Sequence, residues 1–350
     1  MMGVTTRSSL TTDLSRRALL RIGTTAGCAL ALGGCANLVA NGPQFDASEL
    51  SAKPSLIVAT TRNPVQGGRA RPWYGGERAG LSIARATLAP PNNGRFSLAS
   101  MGLDNWQIES VEPAARIDDL IDPALGRRDV LLYVHGYNTT FETAALDAAR
   151  LSDGIKFRGE TMVFTWPSRA KLLDYVYDRE SAMWSRDSLE RVLANLMASP
   201  SVGSIHIVAH SVGTMLTLEG LRQLYARGGP AVAGRIGAIV FAAPDIDMDV
   251  FASSVERLGD LVPKITVIAA TNDRALSVSR LIAGGMTRVG SAEKAQLERL
   301  GLRVIDASHE GWGIINHDLF LSNSDIRKVI RRAVDGRLAS SGGRPGGQPL

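Results

Sequence analysis

The feature that most constrains the fold of this chain is an alternation, from Asp129 onward, of short apolar runs with amphipathic stretches of helical period. In chain order the apolar runs are DVLLYV, TMVFTW, SIHIVA, IGAIVFAA, KITVIAA and LRVIDA. Fully apolar strands that alternate with helices are typical of a parallel sheet covered on both faces. The pattern therefore predicts an α/β fold with a mostly parallel sheet and helices on both sides of it.

The helical stretches show the expected spacing of apolar residues. In residues 187–197 four apolar side chains fall on one face of a helix, namely Leu189, Val192, Leu193 and Leu196. Asp187 and Glu190 lie three residues apart at the start of this stretch, which predicts a capping box. The spacing indicates that this helix packs one side against the sheet.

The chain of 350 residues divides into four segments of different character. Residues 1–35 resemble an export signal. Residues 36–128 contain short strand-like runs among many Gly, Pro and Asn residues, and we expect them to form an N-terminal extension that packs on the core. Residues 129–337 carry the alternating pattern and form the predicted main domain. The Gly/Pro-rich residues 338–350 are predicted to be a disordered tail.

The first segment has the features of a bacterial leader. The stretch SRRALLR contains Arg16 and Arg17 and resembles the twin-arginine export motif, which implies the export machinery as a partner. A short, mildly apolar stretch follows and ends in LGGC, which resembles a lipobox with Cys35 as the lipidated residue. Cleavage beyond it, for example after Ala40, is the alternative. The expected location is the periplasm or cell envelope, with a lipid anchor to a membrane if Cys35 is acylated.

The charge distribution argues against nucleic acid as a partner. The net charge is +5, but Arg7, Arg16, Arg17 and Arg21 lie in the leader against Asp13 alone. A dense stripe of Lys and Arg with interleaved aromatic residues is not visible in the rest of the chain. Metal-ligand clusters and phosphate-binding glycine motifs are not found either, so we expect neither a metal nor a cofactor.

A candidate nucleophile lies where the third apolar run ends, in the stretch SIHIVAHSVGT. Ser211 stands between this strand and a predicted helix, and the small residues Ala209 and Gly213 lie two positions to either side. Small residues are required there because strand and helix approach closely at a nucleophile elbow, which exposes the serine hydroxyl. The alternative is that Ser211 is only the N-cap of the helix.

The turn after the first apolar run is a candidate for the oxyanion hole. It reads YVHGYN, and the backbone N–H of Tyr137 would supply one donor, with that of Val212 as the second. His135 would shape this turn and is not expected to be the base. A run of apolar and aromatic residues between 168 and 184 either lines the acyl pocket as a wall or lid, or is simply packed.

Residues 129–324 resemble the α/β-hydrolase superfamily, and in particular a poorly characterised bacterial branch of esterase/lipase-like proteins. The matching stretches are YVHGYN, FTWPS, DYVYDRESA, HIVAHSVG, FAAPDID and ATNDRAL. Two positions depart from that pattern, because Val212 and Thr214 stand where such proteins often have Met and Asn. Val212 still contributes a backbone N–H, so the oxyanion hole survives, but the departure affects the expected shape of the acyl pocket.

The resemblance implies a triad in the chain order nucleophile, acid, histidine. Asp273 follows the strand KITVIAA at the usual position of the acid. Asp245 and Asp247 are the alternatives. Their non-catalytic interpretation is a turn that caps the following helix. His317 is the expected base, and His309 is the alternative.

These residues together predict a serine hydrolase that cleaves carboxylic esters, of small molecules or lipids, through an acyl-enzyme. Two other functions stay open from the sequence. One is acyl transfer to an alcohol by the same residues, and the other is a non-catalytic α/β-hydrolase-fold lipoprotein of the cell envelope.

Overall fold

The computed structural model describes residues 54–65, 73–89, 107–171, 173–269, 288–308, 321 and 323–336. Ser211, Tyr137 and Val212 lie within these ranges. The expected leader residues Arg16, Arg17 and Cys35 lie outside the described residues, as do Asp273, His309 and His317.

The described residues contain a single mixed sheet of nine strands, and its strand order is β3-β2-β1-β5-β4-β6-β7-β8-β9. In this order every pair of neighbouring strands from β1 to β9 is parallel. At the other edge, β2 is antiparallel to β1 and β3 is antiparallel to β2. The strands are β1 (Ser55–Pro64), β2 (Tyr74–Ala89), β3 (Gln107–Ala114), β4 (Arg128–Val134), β5 (Glu160–Thr165), β6 (Val202–His210), β7 (Ile236–Ala242), β8 (Ile265–Ala269) and β9 (Arg303–Asp306). The predicted α/β fold with a mostly parallel sheet is confirmed.

Eight α-helices of the described chain connect or flank these strands. They are α1 (Phe141–Gly154), α2 (Tyr175–Trp184), α3 (Arg186–Ala198), α4 (Val212–Gly228), α5 (Pro230–Arg235), α6 (Met248–Val255), α7 (Lys294–Glu298) and α8 (Ser324–Val334). Within the residues that the structure describes, no helix combines the length and apolarity needed to cross a membrane.

The sheet is buried on both faces, as the apolar runs predict. In β6 the side chains of Ile205, Ile207 and Ala209 face one core, together with helices α2 to α6, and Val208 faces the other. Helices α1 and α8 cover that second face. Because both faces of β6 are covered, its side chains can reach solvent only at the ends of the strand, and His206 in its interior is buried.

The helix over residues 187–197 forms with the predicted buried face, since Leu189, Val192, Leu193 and Leu196 are fully buried. The predicted capping box is wrong. Helix α3 begins at Arg186, directly after Ser185, which also ends α2 and accepts the backbone N–H of Leu189. Glu190 instead pairs with Arg227 at 2.8 Å. Because α2 runs almost directly into α3, Asp187 does not stand at a free helix end.

Candidate active site

Ser211 occupies the turn between β6 and α4 in a strained conformation. Its backbone angles are φ 51° and ψ −123°, a region that non-glycine residues seldom adopt. The turn is held by three backbone hydrogen bonds, because the Ser211 N–H donates to Ala242 O and the Ser211 carbonyl accepts from Thr214 and Asp245. Ser211 stands at the N-cap position of α4, yet its hydroxyl makes no capping bond to the helix. A capping role therefore does not explain this serine.

Glycine at position 213 is required by close packing against β4. A Cβ atom there would lie 2.3 Å from the carbonyl oxygen of His135 and 2.8 Å from that of Val134. Both obstacles are backbone atoms, which cannot rotate away. Ala209 on the other side of the elbow is fully buried. The start of α4 is thus pressed against the end of β4, as the elbow pattern requires.

The turn after β4 lies directly against the elbow. A Cβ atom on Gly136 would lie 3.0 Å from Cβ of Ser211 and 2.8 Å from Nδ1 of His210. The next residue, Tyr137, packs its ring edge-on against Tyr175 and donates its hydroxyl to the carbonyl of Lys171. The two segments predicted to supply oxyanion donors are therefore neighbours in space.

His135 holds this turn from within the core and is neutral. Its Nε2 accepts the backbone N–H of Trp166 at 3.1 Å, and its Nδ1 lies 2.7 Å from the carbonyl of Gly136, so the proton is on Nδ1. Burial, together with the nearby charge of Arg62, lowers the pKa of His135 to about 3. The ring also stacks on Trp166. Both ring nitrogens are occupied, which agrees with a shaping role for His135.

Sequence reasoning missed a buried arginine near this turn. Arg62 is 1% exposed near the end of β1 and donates to Thr165 Oγ1 and to the carbonyls of Gly75, Ser168 and Thr139, at 2.6–3.1 Å. Burial lowers its pKa to about 10, so the guanidinium stays charged near neutral pH. The available signal was a lone arginine directly after the apolar run LIVATT.

Asp178 on α2 was also missed, although it lies in the stretch DYVYDRESA. Its carboxylate is buried and accepts Ser168 Oγ at 2.5 Å, the Arg169 N–H at 2.9 Å and the Asn138 N–H at 3.2 Å. Burial raises the pKa of this carboxyl, and the three hydrogen bonds and Arg62 act in the opposite direction. The arrangement ties α2 to the turn that faces Ser211.

Two of the three acid candidates fall within the described residues. Asp247 caps α6, because its Oδ1 accepts the N–H groups of Asp249 and Val250, which matches the capping interpretation. Asp245 is buried behind the elbow, and its carboxylate contacts Arg288 at 3.2 Å and the hydroxyl of Tyr175 at 2.9 Å. Both carboxylates thus have structural partners.

The stretch between 168 and 184 contributes packed and exposed side chains. Tyr175 is buried against Tyr137 and Asp245, whereas Leu173 is 86% and Trp184 43% exposed. Tyr177 lies under the guanidinium of Arg169, at 3.7 Å from ring centroid to Cζ. Tyr175 is therefore a packed side chain. Leu172 lies outside the described residues.

In the part of the chain that the structure describes, His, Cys, Asp and Glu side chains do not form a group of three that could hold a metal ion. His206, in the interior of β6, is 4% exposed, packs edge-on against Phe157 and has a pKa lowered by burial. It is a core histidine, as its position in the strand indicates.

The mostly parallel sheet, covered on both faces and carrying a serine elbow after its central strand, defines an α/β hydrolase. The sequence matches the family described as alpha/beta hydrolase of unknown function (DUF900) over residues 117–333, and the chain belongs to that family.

Individual relatives are distant. An uncharacterised protein from Nostoc sp. (strain PCC 7120) is 25% identical over 122 residues, which are 28% of this chain and 32% of that protein, so only about a third of the relative is matched. An esterase from Pyrobaculum calidifontis has a similar structure, with a TM-score of 0.37 and 13% identity over 88% of this chain and 92% of its own. A cutinase-like protein from Cryptococcus sp. has a TM-score of 0.37 and 13% identity over 60% of this chain and 94% of its own. Similarities this distant do not bear on the substrate.

Proposed function

We propose that this protein is a serine hydrolase that cleaves carboxylic esters with Ser211 as the nucleophile. The observation that carries the proposal is the strained elbow of Ser211, held by backbone hydrogen bonds, with the turn at Gly136 packed against it. A strained serine between strand and helix exposes a hydroxyl for attack, and a neighbouring turn can supply the second oxyanion donor.

In the proposed reaction His317 removes the proton of the Ser211 hydroxyl as its oxygen attacks the acyl carbonyl. The N–H groups of Tyr137 and Val212 bind the resulting oxyanion, and Asp273 stabilises the imidazolium. Collapse of the tetrahedral intermediate breaks the bond to the alcohol, which takes the proton from His317. Water, activated by His317, then hydrolyses the acyl-enzyme and regenerates Ser211.

The described residues support two parts of this scheme. Val212 is the first residue of α4, where backbone N–H groups have no acceptor within the helix and the helix dipole favours negative charge. Asp245 and Asp247 already have structural partners, which favours Asp273 as the acid that orients the base.

A panel of p-nitrophenyl esters of increasing acyl length tests the proposal on the wild-type protein and on Ser211→Ala. We expect hydrolysis by the wild type and loss of at least about 10³-fold in kcat for Ser211→Ala, with an unchanged circular dichroism spectrum. Equal activity of the two folded proteins would exclude Ser211 as the nucleophile. Activity towards none of the esters would favour the non-catalytic envelope lipoprotein.

Acyl transfer is distinguished in the same assay by adding an alcohol acceptor. A hydrolase releases the free acid as its main product in water, whereas an acyltransferase gives mostly the new ester. The product ratio, measured by chromatography, separates the two reactions because both consume the acyl-enzyme.

We also propose that the protein is exported through its paired arginines and anchored to a membrane by a lipid on Cys35. The support is the sequence SRRALLR, followed by a mild apolar stretch and LGGC. Replacing Arg16 and Arg17 by Lys should retain the precursor in the cytoplasm. Cys35→Ser should release the protein from membranes, whereas a wild type that already fractionates as soluble, like the variant, would favour a soluble periplasmic form.

A further inference from the structure

The turn that faces Ser211 is held in place by a buried carboxylate on a different part of the chain. Asp178 lies on α2, and its Oδ2 accepts both the Asn138 N–H and the Ser168 hydroxyl. The Ser168 oxygen in turn accepts the Thr139 N–H at 3.1 Å. Two consecutive peptide groups of the turn are therefore bound, directly or through one hydroxyl, to a single carboxylate.

The geometry of the turn makes it dependent on such support. Asn138 has a φ of +57°, a left-handed conformation that is uncommon outside glycine. The peptide group between Tyr137 and Asn138 is bound at both ends, because Tyr137 O accepts the Thr139 hydroxyl and the Asn138 N–H donates to Asp178. This peptide group directly follows the backbone N–H of Tyr137, the proposed oxyanion donor.

The peptide group before it is bound from the other side. The Gly136 carbonyl lies 2.7 Å from the protonated Nδ1 of His135, and this carbonyl shares its peptide plane with the Tyr137 N–H. His135 thus sets one peptide plane and Asp178 the next, and together they determine where the Tyr137 N–H points.

We propose that Asp178 is a positioning residue for the oxyanion hole, acting through the Asn138 N–H and, by way of Ser168, through Thr139. This inference rests on the proposed function of Ser211, and it names a residue that keeps a donor aligned rather than one that touches the substrate. A misaligned donor binds the transition state less well and leaves ground-state binding almost unchanged.

The variant Asp178→Asn tests the proposal because it keeps the side-chain shape and replaces one acceptor oxygen by a donor. The asparagine amide has only one acceptor oxygen. It therefore cannot accept from the Asn138 N–H and the Ser168 hydroxyl on one side and also from the Arg169 N–H on the other. Asp174→Asn is the matched control, since it removes a carboxylate one turn earlier, at the N-cap position of α2, where it makes no capping hydrogen bond. Ser168→Ala is a second test variant, which removes the hydroxyl that links Asp178 to Thr139, together with its bond from the Ala170 N–H, and keeps the bond from Asn138 to Asp178.

The first measurement is independent of activity. Hydrogen exchange, followed by mass spectrometry of the peptide that spans Gly136–Thr139, should become faster in Asp178→Asn and stay at the wild-type rate in Asp174→Asn. Unchanged exchange in a folded Asp178→Asn protein would overturn the positioning role. The exchange measurement tests whether Asp178 holds the turn, whether or not the protein hydrolyses esters.

The second measurement is catalytic. Per active site titrated with a fluorophosphonate, we expect Asp178→Asn to lose roughly 10- to 100-fold in kcat with KM changed by less than about threefold, since a whole oxyanion donor is worth about 10²–10³. Affinity for a trifluoromethyl ketone, which forms a tetrahedral adduct, should fall by a similar factor. Ser168→Ala should show a smaller loss of the same kind.

A purely structural role gives a different result. Fewer titratable sites with a normal kcat per site, or a rise in KM alone, would overturn the proposal even if exchange increased. If the wild type itself neither reacts with the fluorophosphonate nor hydrolyses esters, the proposed function fails and the catalytic role of Asp178 fails with it. The exchange result then still decides whether Asp178 holds the turn.

Discussion

Two glycines of the same helix should respond in opposite ways to replacement by alanine. In α4, a Cβ atom on Gly213 would lie 2.3 Å from the backbone oxygen of His135, below the 3.0 Å to which Cβ atoms normally approach. A Cβ atom on Gly220 would meet Leu189 at 3.6 Å and the backbone nitrogen of Glu190 at 3.7 Å, which are ordinary van der Waals distances. The second position can accept a methyl group and the first cannot.

The magnitudes follow from these contacts. Alanine in a helix is favoured over glycine by about 1 kcal/mol, so Gly220→Ala should raise the free energy of unfolding by about that amount. The same gain applies at Gly213, but overpacking against fixed backbone costs about 3 kcal/mol, which leaves a net loss of about 2 kcal/mol. The two variants should therefore differ by about 3 kcal/mol.

Urea denaturation followed by tryptophan fluorescence measures both free energies of unfolding. Gly213→Ala should also lower kcat by tenfold or more, because it pushes α4 and the elbow away from the turn at Gly136, and small displacements of catalytic groups are costly. Gly220→Ala should keep wild-type kcat. Equal stability of the two variants would refute the close approach of α4 to β4 and the elbow geometry with it.

Three further results are expected. His317→Ala should lose about 10⁴-fold or more in kcat and His309→Ala about tenfold or less, and a reversal of these losses in ester assays would assign the base to His309. Because the folded-state pKa of His135 is about 3 against 6.5 when exposed, its contribution to stability is complete above pH 6.5 and declines as the pH falls towards 3. Relative to His135→Gln, the wild type should lose up to about 1.4 kcal/mol per pH unit between pH 6 and 4 in urea titrations, and parallel pH profiles would contradict a buried neutral histidine. Asp247→Ala should cost about 1 kcal/mol through loss of the α6 cap with kcat unchanged, whereas a large loss of kcat would give that carboxylate a catalytic role.

The parts of the fold that could be predicted from sequence are those with a local signal. The run SIHIVA predicts a buried strand because four of its six residues are apolar, and β6 has both faces covered. The elbow at Ser211 could be recognised because its steric requirement, small residues two positions to either side of the serine, lies within five consecutive residues. His135 was correctly assigned to the turn because it directly follows a strand.

The support of the turn could not be predicted, because its partners are far apart in the chain. Arg62 and Thr165 are 103 positions apart, and Asp178 reaches Asn138 across 40 positions. Local patterns do not encode such pairs. The failed capping box has a related cause, since Asp187 and Glu190 have the correct spacing but Ser185 joins α2 to α3. Asp273, His317 and Cys35 stay predictions.

The central claim, an activated nucleophile at Ser211, is tested most directly by covalent labelling. The wild-type protein is treated with a fluorophosphonate probe at neutral pH, digested and analysed by tandem mass spectrometry, with Ser211→Ala and heat-denatured wild type as controls. We predict one adduct, on Ser211, that requires the folded protein, since an unactivated serine hydroxyl does not react. A folded wild-type protein that is not labelled, or that is labelled equally in Ser211→Ala, would contradict the account.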